Sequence, residues 1–133
     1  MSDKKYAIEK SESEWREQLS AEEFKILRQK GTEFAHTGKF NLHFEDGTYK
    51  CKGCNSTLFE SNNKFKSNCG WPSFDDAIEG KIEYVKDTSH GMIRTETLCA
   101  NCGGHLGHVF DDGPTKTGVR FCVNSASIDF SPS

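Results

Sequence analysis

The sequence has no long apolar run. Nothing in it approaches the roughly 20 consecutive apolar residues of a membrane-spanning helix, and the start, Met1 to Lys10, lacks the apolar stretch of a secretory signal or an anchor. The expectation is a soluble, cytoplasmic protein with no membrane contact. An excess of basic charge is also missing. Seventeen Lys and Arg face 20 Asp and Glu, for a net charge of −3, which argues against a dedicated nucleic-acid binder, whose footprint is a basic patch. Hydrophobic residues are scarce, at 34% with a mean hydropathy of −0.71, so a domain of this size gains from an added staple. Repeats, low-complexity tracts and linkers are absent, and the length fits one domain over residues 1–133, expected to be a monomer. Cysteine, by contrast, is present six times. In a reducing compartment that number points to metal binding or catalysis before structural disulfides.

Residues 1–30 read as a helical segment. Ser20 and Glu23 form a capping box, Phe24, Ile26 and Leu27 give the following helix an apolar side, and Gly31 is its stop. A shorter helical turn over Glu14–Leu19 precedes it, with Trp15 assigned to packing. From 31 to 130 the character changes to short runs rich in Phe, Tyr, Ile, Val and Thr, punctuated by Gly, Asn, Asp and Ser. Strands are predicted at Thr48–Lys50, Thr57–Glu60, Ile82–Lys86, Met92–Thr97 and Val119–Asn124, with another near Ser127–Phe130. The class is α+β, β-dominated and mostly antiparallel.

Cys51-Lys52-Gly53-Cys54 and Cys99-Ala100-Asn101-Cys102 are two CxxC pairs. Each forms a tight turn offering two thiolates, and two such turns complete the tetrahedron of a Zn²⁺ site. The stretch between the pairs is longer than the usual spacing of about 15–20 residues, as an inserted functional segment explains. Four thiolates leave no open position for water, so the ion is expected to be structural, one per chain. Iron is an alternative for the same ligand set.

Two cysteines remain. Cys122 lies in the strand-like run Gly118-Val119-Arg120-Phe121-Cys122-Val123-Asn124-Ser125. With period two, Arg120, Cys122 and Asn124 share one face and Val119, Phe121 and Val123 the other. A cation beside a thiol lowers its pKa from ~8.5 and makes a nucleophile, with Asn124 available to a reacting polar group. A thiol buried as a small hydrophobe is the competing reading. Cys69 sits in a Gly- and Pro-containing loop, where it either approaches a second thiol or is a spectator. His105 and His108 lie in a glycine-rich stretch, Gly103 to Phe110. Metal ligation, plain surface placement and acid–base work are all open to them, and histidine suits proton delivery at neutral pH. His36, His43 and His90 show no comparable setting. Trp71 is either an apolar platform for a ligand or a core residue.

The chain resembles the B-type methionine-R-sulfoxide reductases. The carrying motifs are Cys51-x-x-Cys54, Cys69-Gly70-Trp71-Pro72-Ser73-Phe74, Ser89-His90-Gly91-Met92, Cys99-x-x-Cys102, His105-Leu106-Gly107-His108-Val109-Phe110, Asp112-Gly113-Pro114 and Arg120-Phe121-Cys122-Val123-Asn124-Ser125. They run from Gly31-Thr32-Glu33 to Phe130. The resemblance implies two antiparallel sheets with helices at the N-terminal side, so that 31–130 is the catalytic β domain. It implies reduction of the R epimer of methionine sulfoxide, mainly in proteins, with Cys122 as nucleophile and Cys69 as resolving cysteine. It places Trp71 and Phe110 at the substrate, His105, His108 and Asn124 around the sulfoxide oxygen, and Asp112 and Arg120 in support. The four CxxC cysteines match zinc ligands, and thioredoxin is the implied reductant. Two departures stand out: Lys66-Ser67-Asn68 precedes Cys69 where many members carry Ser-Gly, and His36 stands where an aromatic is usual.

The chemistry fits these residue types. A sulfoxide sulfur is a poor electrophile until its oxygen is hydrogen-bonded or protonated, so a thiolate needs a proton donor beside it. Oxygen transfer leaves a sulfenic acid, which condenses with a nearby thiol, and an external dithiol resets the disulfide. The rival class is a zinc-ribbon binding module, which accounts for four cysteines and nothing else. A zinc hydrolase or deaminase needs an open metal position, which four thiolates do not leave.

Overall fold

In the computed structural model, which describes residues 6–41, 43–67, 69–88 and 91–132, two short helices come first. Helices α1 (Glu12–Gln18) and α2 (Ala21–Gln29) each begin with a capping box. At α2 the Ser20 hydroxyl accepts the Glu23 N–H at 3.1 Å and the Glu23 carboxylate accepts the Ser20 N–H at 2.9 Å. Ser11 and Glu14 repeat the device at α1, at 3.2 and 2.9 Å, so α1 starts ahead of the predicted Glu14. Each cap contributes about 1 kcal/mol to a helix too short to stand alone. The left-handed residue that ends α2 is Lys30, at φ 58°, and not Gly31. Gly31 follows because its N–H bonds Lys25 O at 2.9 Å, where a Cβ would come within 3.0 Å of that oxygen.

Among the described residues nine strands form two antiparallel sheets. The smaller has the order β2-β1-β9, from β1 (Gly47–Cys51), β2 (Thr57–Glu60) and β9 (Ile128–Pro132). The larger has the order β3-β4-β8-β7-β6-β5, from β3 (Lys64–Phe65), β4 (Ser73–Phe74), β5 (Ile82–Asp87), β6 (Arg94–Cys99), β7 (His105–Phe110) and β8 (Arg120–Val123). This is the β-dominated α+β fold expected. Strand β6 lies two residues beyond the predicted Met92–Thr97. The larger correction is β7, in place of the glycine-rich loop expected there: its one glycine, Gly107, does not break the strand but lets β8 approach. A Cβ on Gly107 would stand 1.9 Å from the Cys122 carbonyl oxygen. Asn68, Ser89 and His90 lie outside the described residues.

The core sits between the sheets. Tyr49, Leu58, Phe59, Phe74, Leu106, Val123 and Ile128 are fully buried, and the Phe59 and Phe74 rings stack at 4.3 Å. Each such side chain contributes about 1.5–3 kcal/mol through burial. Trp15, Phe24 and Leu27 bring both helices into the same cluster, as expected for Trp15. No helix among the described residues is long and apolar enough to cross a membrane.

Candidate active site

Strand β8 alternates as its sequence requires. Phe121 and Val123 enter the core, while Arg120 and Cys122 face a cavity of about 230 Å³ on the other side of the sheet. Neighbouring β4 pairs Ser73 with Cys122, and this pairing draws in the preceding loop with Cys69. The two sulfurs lie 3.4 Å apart. That is van der Waals contact, and closing it to the ~2.05 Å of a disulfide needs only local movement. Cys69 also contacts the Ser73 hydroxyl at 3.3 Å and donates to the Trp71 carbonyl at 3.4 Å. Gly70, at φ 95°, makes this turn, and a Cβ there would come within 2.6 Å of Ala35 Cβ.

The thiol pair is electrostatically uneven. Cys69 is pulled down to about 4, first by the hydrogen bond from Cys122, against the effect of burial. Cys122 is pushed up, first by that same bond and then by burial. Arg120 acts on Cys122 in the expected direction, towards the thiolate, but is outweighed. The pull of the neighbouring cation expected from the sequence is present but smaller than the effect of the second thiol: Cys69 ionises first, below the ordinary cysteine range. Arg120 is held by Asp112 through two bonds, 2.9 and 3.1 Å, and lies 4.6 Å from the Phe110 ring centre.

Trp71 is half-buried and lines the cavity. Its indole N–H donates to Glu33 O at 3.1 Å. Glu33, 6% exposed, ties the site together: its N–H donates to Asn124 Oδ1 at 3.0 Å and its carboxylate accepts the Ala126 N–H at 3.0 Å. Asn124 Nδ2 donates to Leu106 O at 3.0 Å. These partners fix which end of the amide is which and leave Asn124 one N–H for the cavity it lines.

His105 and His108 share a face although they stand three positions apart. In a regular strand that spacing points side chains apart. The register shifts between Thr97 and Leu98 of β6, which pair with Gly107 and His105 of β7, so β7 carries one extra residue. The bulge turns both rings to the cavity side, 5.8 Å apart between centres. Each is backed by a carboxylate: His105 Nδ1 lies 2.6 Å from Glu96 Oε2, and His108 Nε2 lies 2.8 Å from Asp87 Oδ2. Lys30 Nζ meets Glu96 Oε1 at 3.2 Å and Arg94 meets Asp87 at 3.3 Å. Burial lowers the pKa of His108, with Arg94 and His105 adding and Asp87 opposing. Burial alone would raise Glu96, but His105 and Lys30 outweigh it and hold the carboxylate ionised. Glu33, Asp87, Arg94 and Glu96 were missed in the sequence. The signal was faint: an acidic residue between two threonines in a strand beside the histidines, and the Glu of Gly31-Thr32-Glu33.

Cys51, Cys54, Cys99 and Cys102 come together away from this cavity, all four sulfurs within 4.8 Å of one another. The contacts Cys51–Cys102 and Cys54–Cys99 measure 3.6 Å. A tetrahedron with ~2.3 Å metal–sulfur bonds has edges near 3.8 Å, whereas a disulfide needs ~2.05 Å, so the four fit a metal ion. Cys54 and Cys99 are pulled below the ordinary thiol range, chiefly by hydrogen bonds from Cys51 and Cys102 respectively. Asn101 Nδ2 donates to Cys54 at 3.2 Å. Neither histidine belongs to the cluster.

Two thiols in contact, two carboxylate-backed histidines and a small cavity beside a tryptophan are the equipment of a thiol redox protein. The chain belongs to the SelR domain family, whose profile matches residues 19–132. Among its relatives is a peptide methionine sulfoxide reductase MsrB of Variovorax paradoxus (strain S110), 53% identical over 92% of this chain and 95% of the relative. A relative of the same name from Leptospira interrogans serogroup Icterohaemorrhagiae serovar Lai (strain 56601) is 52% identical, covering 94% and 96%. One from Pseudomonas putida (strain W619) is 54% identical, covering 94% and 95%.

Proposed function

We propose that this chain reduces methionine-R-sulfoxide, mainly in proteins and peptides, as one catalytic domain spanning residues 1–133. The observation that carries the reading is the Cys69–Cys122 contact of 3.4 Å at the floor of a cavity shared with two histidines. About 230 Å³ is below the ~300 Å³ at which drug-sized pockets begin, and suits one side chain. Trp71 and Phe110 take the methyl group, and Cys122 faces the sulfur. Transfer of the pair's proton from Cys122 to Cys69 across their contact leaves Cys122 the attacking thiolate, and Arg120 steadies it. Attack on sulfur transfers oxygen to Cys122 as a histidine delivers a proton, giving methionine and a sulfenic acid. The Cys69 thiol condenses with that acid, releasing water and forming the disulfide. Thioredoxin, or another dithiol, then exchanges with it and returns both thiols.

The tetracysteine cluster holds one Zn²⁺, whose contribution is folding energy and not chemistry, since four thiolates close its shell. The protein works as a cytoplasmic monomer. A zinc-ribbon binding module leaves the thiol pair and both histidine–carboxylate pairs without a role. The test is turnover of a methionine-sulfoxide peptide, supplied as separated epimers, with a dithiol reductant. Reduction of the R epimer alone is expected, and no reduction of either ends the proposal.

A further inference from the structure

Trp71 and Asn124 stand on different parts of the fold, one in the loop before β4 and the other just after β8, yet both line the cavity that Cys122 faces. A single residue joins them. The Glu33 carbonyl accepts the Trp71 indole N–H at 3.1 Å, and the Glu33 N–H donates to Asn124 Oδ1 at 3.0 Å. That N–H and that carbonyl are linked through one Cα by bonds of fixed length. The separation of indole and amide is therefore set by the backbone of one residue and not by a chain of soft contacts. Asn124 is held at a further point, since its Nδ2 donates to Leu106 O at 3.0 Å.

The side chain of Glu33 fixes this backbone in turn. Its Oε1 accepts the Ala126 N–H at 3.0 Å, two residues beyond Asn124. Glu33 itself borders a different cavity, of about 300 Å³, together with Ser125 and Ala126. Its other oxygen, Oε2, is buried with no hydrogen-bond partner among the described residues. It lies against Gly38, where a Cβ would come within 2.3 Å of it. A buried acceptor without a donor costs stability, so stability alone does not account for a carboxylate here. What the residue supplies is the spacing of the two groups it holds.

We propose that Glu33 is a positioning residue that sets the slot between Trp71 and Asn124, and thereby which alkyl group and which sulfoxide epimer the site accepts. In the reaction proposed above the methyl group lies on Trp71 and the sulfoxide oxygen near Asn124. A fixed spacing then admits one small group on one side of the sulfur. Loss of the Ala126 bond releases residue 33 from the segment after β8, and indole and amide part. The wider slot takes a larger alkyl group and lets the other epimer present its sulfur to Cys122.

The inference rests on the reductase reading, so its test includes a measurement that does not. Values of kcat/KM are compared on peptides bearing methionine-R-sulfoxide, methionine-S-sulfoxide and ethionine-R-sulfoxide, for zinc-loaded wild type, Glu33→Ala, Glu33→Asp and Glu33→Gln. Glu33→Ala should shrink the methyl-over-ethyl preference on the order of 10-fold, the scale on which an apolar slot reads one methylene, and should lower the R-over-S ratio as well. Glu33→Gln, which keeps an acceptor for Ala126, should retain both ratios. Glu33→Asp, too short to reach Ala126 from the same backbone position, should fall between, and it carries the comparison with Glu33→Gln if Glu33→Ala does not fold. Ratios unchanged while all three substrates slow together would mark Glu33 as merely structural and overturn the proposal, as would Glu33→Gln losing selectivity as fully as Glu33→Ala. Hydrogen exchange at the indole N–H groups, followed by NMR, is the independent arm. The Trp71 N–H should be protected in wild type and lose protection in Glu33→Ala, with the Trp15 signal unchanged. An unprotected Trp71 N–H in wild type refutes the bracket whether or not the protein reduces sulfoxides. A wild type with a protected Trp71 N–H that reduces none of the three peptides instead ends the reductase reading, and the selectivity role with it.

Discussion

At the scale of single residues the proposed reaction assigns different work to two cysteines in contact. Cys122 is on the strand and Cys69 on the loop, so removing either leaves the strand pairings that hold the other. Cys122→Ser should abolish reduction while zinc content and the thermal midpoint stay near wild type, and activity near wild type would remove it as nucleophile. Cys69→Ser should still release about one equivalent of methionine per enzyme in a burst, because the first step does not use Cys69. Steady turnover with thioredoxin should collapse, since no disulfide forms for it to attack, and a small dithiol should rescue part of it. Normal thioredoxin turnover would make Cys69 a spectator. The same variant tests the electrostatics. In wild type the first thiolate of the pair forms below the ordinary range because the other thiol bonds to it. Ultraviolet thiolate absorbance against pH should therefore show an acid-side signal that Cys69→Ser loses. Both cysteines were legible in the sequence by subtraction of the CxxC pairs. Their contact was not, because it depends on the β4–β8 pairing of Ser73 with Cys122, which no local pattern announces.

At the scale of elements the site depends on β7, the strand that the sequence hid. Gly103-Gly104-His105-Leu106-Gly107-His108 carries turn residues and no clean alternation, and the bulge that places both histidines on one face also breaks period two. Local pattern and local function conflict there, and function won. Capping boxes, by contrast, are local signals, and Ser20–Glu23 could be read directly. Gly107 is the point where β7 yields most to its neighbour. Adding one methyl puts a carbon 1.9 Å from the Cys122 carbonyl oxygen, and backbone cannot rotate away as a side chain does. Gly107→Ala should force β7 from β8, costing about 1–3 kcal/mol as overpacking does, and should slow reduction by moving His108 from Cys122. Denaturant midpoint and single-turnover rate are the two readings. A variant with both unchanged would show that the strands part without disturbing the site.

At the scale of the whole molecule the four clustered cysteines lie where one ion would tie the two sheets together. Cys51 ends β1 of the smaller sheet and Cys99 ends β6 of the larger, so an ion bound to all four sulfurs links the two sheets. The helices close over it: Trp15 lies against Gly53, where an added Cβ would stand 3.2 Å from its ring, and Arg28 donates to the Cys102 carbonyl at 3.0 Å. Composition had already suggested that a chain this poor in apolar residues needs a staple, and the CxxC pairs named it. That they join two sheets could not be read, because sequence distance says nothing about which sheet a strand enters. Replacing Cys51 or Cys102 by Ser should therefore remove close to one zinc per chain and with it much of the stability, since binding energy here is folding energy. Trp15→Ala, which leaves all four ligands, should cost about 3–5 kcal/mol from lost packing and release zinc to a chelator faster than wild type. Activity should fall with folding in both cases, although neither change touches the cavity. The decisive comparison is zinc content against thermal midpoint across these variants. If zinc leaves while the midpoint holds, the cluster is not the staple, and the two sheets are held by the core alone.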